Sequence, residues 1–459
     1  MSGFRVEKDS MGGVEVPEGA YYGAQSKRAK DNLPVSDERM PLAVVHAVAR
    51  IKGLAARVNA SLGLLPASSA EAISRAAHEA LEGKFDDQFI VGVFQTGSGT
   101  STNMNVNEVL ANRANEILGA PLGKYSPVHP NDHVNRCQSS NDVIPSAIRI
   151  ALRLDMSNLL LALSRLQGAL DEKARDFSSI LKIGRTHMQD AVPITLGQEF
   201  AAYAAQIGRC VRRIEAVFPE LEELPLGGTA VGTGVNAHPE FAQKTIAELA
   251  ASCGVPFREA KNRFAAMGGQ DALVAAGGAM KGAAVSLMKI AHDLRLLSSG
   301  PRCGIGEILL PSLQPGSSIM PGKVNPVVLE ATIQVAAQVI GNEATVALAG
   351  SMGVLELNVM LPVMARNLME SSALLSSMSL LLADRCIAGI KADAKRCEEL
   401  IEKSLSIITP LSVKIGYNRA AELVHEAFQS GRTIRELLTE KGELAKEEID
   451  DVLDPRKMT

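Results

Sequence analysis

Between Asn141 and Phe177 the chain runs almost without a helix breaker once Pro145 is passed. Leucine and isoleucine recur at mixed three- and four-residue intervals through "IPSAIRIALRLDMSNLLLALSRLQGALDEKA". That periodicity predicts one helix of roughly thirty residues or more, beyond the ordinary globular range and typical of bundles. Similar patterns predict long helices over 193–217, 269–298, 326–349 and 362–388. The fold class is therefore mainly α, with a central five-helix domain. Aromatics make up only 3% of the chain and tryptophan is absent, so the core is built from Ala, Leu, Val, Ile and 16 Met. This palette suits close helix packing. Helices this apolar carry more greasy surface than one five-helix unit buries, which predicts assembly through the bundle into an oligomer.

The 459 residues exceed one ordinary domain. The expected division is 1–138, mostly helical; 139–390, the bundle; and 391–459, short helices with charged faces. Within the first part, 1–40 reads as an irregular arm with a short hairpin, and helices are expected over 40–81 and 105–118. The net charge of −4, without a dense Lys/Arg cluster, disfavours nucleic acid as a partner. Six scattered cysteines without a C-x-x-C pair argue for a reducing compartment and against a disulfide framework or structural zinc. "MSGFRVEKDSMGG" lacks a secretory h-region. No uncharged apolar stretch reads as a membrane span, since the longest candidate, 367–383, contains Glu370 and many serines. A cytoplasmic protein without a membrane partner is expected.

Five polar, turn-like stretches stand out against this helical background. "QTGSGTSTNMN" (95–105) precedes a helix, where Ser98, Gly99 and Thr100 with nearby N–H groups can hold an anion, or simply cap. "HPNDHVN" (129–135) spaces His129 and His133 four apart, but Pro130 interrupts a helix there and no H-E-x-x-H glutamate exists. Asn131 and Asp132 read as turn or cap residues, and no metal site is assigned. "QSSNDVIP" (138–145) opens the long helix, either simply capping it through Asn141 or Asp142 or, since capping needs only one such residue, leaving hydroxyls for a ligand. "GRTHMQDAVP" (184–193) surrounds His187 with Arg185, Thr186, Gln189 and Asp190, either a structural histidine or a tuned acid or base. "GSSIMPGKVNP" (316–326) puts Lys323 and Asn325 just ahead of a helix start, a receptor for a carboxylate or phosphate or a mere linker.

Taken together, "TGSGTSTNMNVNEVLANRA", "HPND", "QSSND", "GRTHMQDA", "GGTAVGTG", "GPRCGIGEI" and "GSSIMPGKVNP" resemble the fumarase/aspartase superfamily across nearly the whole chain. "QSSND", "MPGK" and "GPRCGIGEI" favour its class II fumarase branch over aspartate ammonia-lyase. The resemblance implies a homotetramer with a 20-helix core and active sites drawn from three chains. It implies reversible hydration of fumarate to (S)-malate through an aci-carboxylate intermediate, without metal or organic cofactor. Ser317 is then the base that takes the C3 proton. His187 is the acid acting through water, tuned by Glu330. Lys323 and Asn325 stabilise the developing charge. Ser98, Gly99, Thr100, Ser139, Ser140, Asn141, Thr186, Ser318 and Val324 complete the substrate seat. A second, non-catalytic dicarboxylate site is implied at His129, Pro130, Asn131 and Asp132; position 126 is serine where some members carry a basic residue, with Lys124 nearby. The alternatives are another lyase of the superfamily, above all aspartate ammonia-lyase, and a catalytically silent relative used as a structural protein.

Overall fold

The computed structural model describes residues 3–459, and the chain is mainly helical. Five long helices dominate: Ser140–Asp176, Leu196–Ala216, Asp271–Leu297, Val327–Gly350 and Leu361–Leu381. Their bounds lie close to those that the apolar periodicity predicts. The clearest difference is at 193–195, which ends the strand Gln189–Thr195 rather than starting a helix. Pro193 and the β-branched Val192, Ile194 and Thr195 favour extended backbone there. The last long helix widens into a π turn over Leu382–Cys386 and a 3₁₀ turn over Ile387–Gly389.

The chain divides into two compact units. One comprises the residues up to Leu160 together with Arg212–Gly282 and Ala337–Leu375. It opens with the hairpin Phe4–Asp9/Gly12–Pro17 expected of the N-terminal arm, followed by an unforeseen helix, Ala24–Asn32. Helices Leu42–Ser61 and Ala67–Leu81 pack together, and both meet Thr100–Ile117. Alanines such as Ala49, Ala55, Ala72, Ala76 and Ala80 are buried here, small side chains that let helices pack closely in a core poor in aromatics.

The other unit comprises Leu161–Val211, Ala283–Ala336 and Ser376–Thr459. Its organising feature is the antiparallel hairpin Leu181–Thr186/Gln189–Thr195. Ile183 from this hairpin belongs to an apolar cluster with Ile401, Leu411, Leu423, Ile434 and Leu453 of the C-terminal helices. The Ser406 hydroxyl donates to Ala191 O at 2.6 Å. The short C-terminal helices thus buttress the hairpin on which His187 sits.

Asp271–Leu297 and Leu361–Gly389 are long and apolar enough to cross a membrane by length and composition; 50% and 44% of their apolar windows are buried in the protein. The second carries the buried polar residues Asn367, Ser371, Ser372 and Ser379, a pattern suited to helix packing.

Candidate active site

In the first unit, the helix expected from 105 begins at Thr100. Gly99 causes the earlier start. It adopts φ +73°, and a Cβ there would meet Ile144 Cγ2 at 2.8 Å, so the chain turns sharply into the helix where only glycine fits. The turn brings three hydroxyls into a row. Ser98 Oγ lies 2.8 Å from Thr100 Oγ1, which lies 2.7 Å from Ser140 Oγ. Ser98 is buried, and Thr100 and Ser140 are half-buried, so the row sits at the mouth of the start of two helices. Ser139 Oγ accepts the Asn141 N–H at 3.3 Å, and Asn141 Nδ2 donates to Ala230 O at 2.8 Å. The sequence-predicted residues Ser98, Gly99, Thr100, Ser139, Ser140 and Asn141 therefore form one constellation.

That constellation rests on Asp142. Its buried carboxylate accepts N–H groups from Ser139, Gly227 and Thr229, each at 2.9 Å. Burial pushes this carboxyl up to about 6, with the three N–H bonds and the Lys52 charge pulling the other way. "GGTAVGTG" is thereby joined to "QSSND", although the two lie some 85 residues apart.

In the second unit, His187 and Met188 form the two-residue turn of the hairpin, between the paired Thr186 and Gln189. Their φ values are +54° and +59°. Such a turn ordinarily takes Asn-Gly, so a His-Met pair is strained. Strain of this kind persists only where the surroundings enforce it. Here the base of the hairpin is pinned by charge. Lys182 Nζ lies 3.1 Å from the Glu307 carboxylate and 3.0 Å from that of Glu199. Arg185 faces both oxygens of Glu307, at 3.0 and 3.1 Å. Lys182 and Glu307 are wholly buried. "GRTH" and "GPRCGIGE" meet through this network. His187 and Thr186 are exposed at the tip.

The 316–326 loop closes on itself. The Gly316 N–H donates to Lys323 O at 3.1 Å, and Asn325 Nδ2 donates to Gly316 O at 2.5 Å. A Cβ at Gly316 would stand 2.5 Å from Lys323 O and 2.6 Å from Asn325 N, so the closure requires glycine. Ser317 Oγ accepts backbone N–H groups from Met320 at 2.9 Å and Ile319 at 3.3 Å. Ser318, Lys323 and Val324 are exposed. Beside the loop, Lys323, Asn325, Arg295, Ser298 and Ser299, together with Ile308, Leu309 and Leu310, line a cavity of about 310 Å³. Glu330, in the first turn of Val327–Gly350, stands 3.9 Å from Arg295 Nη2. Among the described residues, no hydrogen bond or ion pair joins it to His187 of the same chain.

The 129–132 stretch caps a π turn over Pro130–Val134. His129 Nδ1 accepts from Asn131 N and Asp132 N at 3.2 and 3.3 Å, and His133 Nδ1 accepts from His129 N at 2.9 Å. Burial lowers the His133 pKa. Asn131 and Asp132 are exposed.

Sequence reasoning passed over Lys52, Lys182 and Glu307. For Lys52 a signal existed: it falls on the helical stripe Val45, Val48, Ala55, Ala56 and Asn59, every member of which is buried. Glu307 carried no local signal, since its partners are more than a hundred residues away.

A lyase family model matches residues 12–341, and a fumarase C C-terminus model matches 407–459. Fumarate hydratase class II of Nitrosomonas europaea is 50% identical over 460 residues, covering 100% of both chains. Its counterpart in Neisseria meningitidis is 49% identical over 99% of this chain and 98% of its own. The mitochondrial fumarate hydratase of Mus musculus is 49% identical over 99% of this chain and 90% of its own. Among solved structures, class II fumarase from Schistosoma mansoni superposes with a TM-score of 0.96 at 40% identity, over 99% of each chain. The "fumarate lyase:delta crystallin" from Brucella melitensis gives 0.96 at 46%, also over 99% of each.

Proposed function

The chain belongs to the lyase family, in its class II fumarate hydratase branch, and on that premise we propose that it hydrates fumarate reversibly to (S)-malate. The observation that carries the mechanism is the setting of Ser317. A serine hydroxyl is ordinarily a poor base. Two backbone N–H groups pointing at its oxygen favour the anionic form, as donors to a charged acceptor do. In the malate-to-fumarate direction the Ser317 alkoxide takes the C3 proton. The C–H electron pair moves into the adjacent carboxylate as an aci-carboxylate, held by Lys323 and Asn325. Collapse of that intermediate forms the double bond and breaks the C2–O bond. His187, acting through a water and tuned by Glu330, supplies the proton that turns the departing hydroxide into water. Ser98–Thr100, Ser139–Asn141, Thr186, Ser318 and Val324 seat the two carboxylates.

The assembly is a homotetramer with a 20-helix core, and each active site draws on three chains. Exposed apolar side chains on the long helices, among them Leu161, Val285, Leu348 and Leu380, supply the surface for such a core. Assembly also accounts for Glu330 acting on a histidine that it does not touch in its own chain. The 129–132 stretch is a second dicarboxylate seat, with exposed polar groups at a helical turn. The protein works in the cytoplasm. Incubating the purified protein with fumarate alone tests the reaction: fumarate absorbance falls and malate accumulates. A fall that requires added ammonia would instead indicate the amine-adding reaction and overturn the proposal.

A further inference from the structure

Beneath the hydroxyl row lies a polar network that the reaction itself does not use. Lys52 is wholly buried in the Leu42–Ser61 helix. Its ammonium donates to Asn135 Oδ1 at 2.7 Å. The same oxygen receives Asn103 Nδ2 at 3.1 Å and Asn107 Nδ2 at 3.2 Å, both from the helix that starts at Thr100. Asn135 Nδ2 in turn donates to Gln138 O at 3.0 Å. Three polar side chains thus converge on Asn135, in the turn immediately ahead of Ser139.

Asp142 grips the same segment from its other end, through Ser139 N, Gly227 N and Thr229 N. Thr229 sits at φ +54°, a position that a β-branched residue rarely adopts. The bond from its N–H to Asp142 holds it there. Burial lowers the Lys52 ammonium to about 7, and the charge of Asp142 works against that loss. Lys52 thus holds the 135–142 segment at Asn135, and Asp142 holds it at Ser139.

A buried pair of this kind adds little to stability compared with apolar residues of similar volume. It does fix geometry, because each group accepts only a narrow set of partners. We propose that Lys52 and Asp142 are positioning residues, which hold Ser139–Asn141 and the 227–230 loop in the shape that receives a substrate carboxylate. This rests on the functional reading above.

The test is steady-state kinetics of Lys52→Met and Asp142→Asn, with fumarate and with malate, on protein shown to be folded and assembled like the parent. Methionine fills the lysine volume without its charge. Loss of a preorganised seat raises KM, by about tenfold or more in D142N and about threefold or more in K52M, with kcat within about threefold. A purely structural role lowers the fraction of active enzyme, hence apparent kcat, and leaves KM unchanged; that result would overturn the proposal. An inactive parent would point to the functional reading instead. Should both variants fail to assemble, hydrogen exchange on the parent decides. The amides of Ser139, Gly227 and Thr229 exchange with the slowest, globally opening class if the seat is held. Exchange as fast as that of the exposed 318–322 loop would overturn the proposal.

Discussion

The hydroxyl row at Ser98, Thr100 and Ser140 and the lone hydroxyl of Ser317 use the same functional group in opposite settings. In the row each oxygen lies within 2.8 Å of another hydroxyl. Every member can donate and accept, so the row stays neutral and can offer donors to an anion. Ser317 has no such neighbour among its hydrogen-bond partners. Its oxygen accepts from two amides, an arrangement that favours loss of its proton. The supports differ as well. The row stands at two helix starts over a buried floor. The Ser317 loop is exposed and bonded mainly to itself, with Ile319 83% exposed. On the proposed reading, the binding hydroxyls stand on packed helix starts and the base stands on an exposed loop, free to approach and leave.

The largest expected effect breaks the Ser317 half of this contrast. Replacing Ser317 with alanine lowers kcat by about a thousandfold or more while the oligomer stays intact. Activity within tenfold of the parent, measured with fumarate, would place the base elsewhere. Next comes the foundation of the His187 hairpin. Glu307→Ala leaves the half-buried Arg185 without its carboxylate and the buried Lys182 with Glu199 alone, costing about 3 kcal/mol of stability. Chemical denaturation of the variant reads this directly, and a loss under 1 kcal/mol would mean that the hairpin is held by its apolar contacts alone.

A smaller effect concerns the floor of the row. Burial raises the Asp142 carboxyl from the ordinary 3.8 to about 6, so the folded protein retains this proton to higher pH than the unfolded chain does. The resulting stabilisation is fully present below pH 3.8 and is lost as pH rises through about 6. D142N lacks it at every pH. The stability of D142N relative to the parent therefore rises between pH 4 and pH 7, by up to about 2 kcal/mol. Denaturation at the two pH values checks this, and a constant difference would show that the carboxylate is as comfortable inside as in water. The smallest effect lies in the row itself. Thr100→Val removes the middle hydroxyl and keeps the shape, raising KM for fumarate about five- to tenfold, the worth of one hydrogen bond. An unchanged KM would remove Thr100 from the seat.

Helix positions were legible because their signal is local: apolar spacing over thirty residues fixes a helix wherever it lies. The strand at Gln189–Thr195 was masked by the apolar run of the helix that follows it. The start at Thr100 hinged on the left-handed Gly99, whose φ no spacing rule supplies. Within the candidate site, residue types were legible as polar islands in an apolar chain, but pairings were not. Thr100 meets Ser140 across 40 residues, and Arg185 meets Glu307 across 122. Such contacts exist only once the helices have packed. Lys52 stayed hidden because a lysine on a helix is most often solvated, and only its neighbours on the apolar stripe betrayed it.

Mixing two variants tests most directly the proposal that Ser317 and His187 act in one site and come from different chains. S317A and H187N, dissociated together and reassembled, form hybrid oligomers. If sites are shared between chains, some contain an intact serine from one variant and an intact histidine from the other, and activity returns to about one quarter of the parent value. If both groups belong to a single chain, no hybrid contains a complete site, and the mixture stays as inactive as its components.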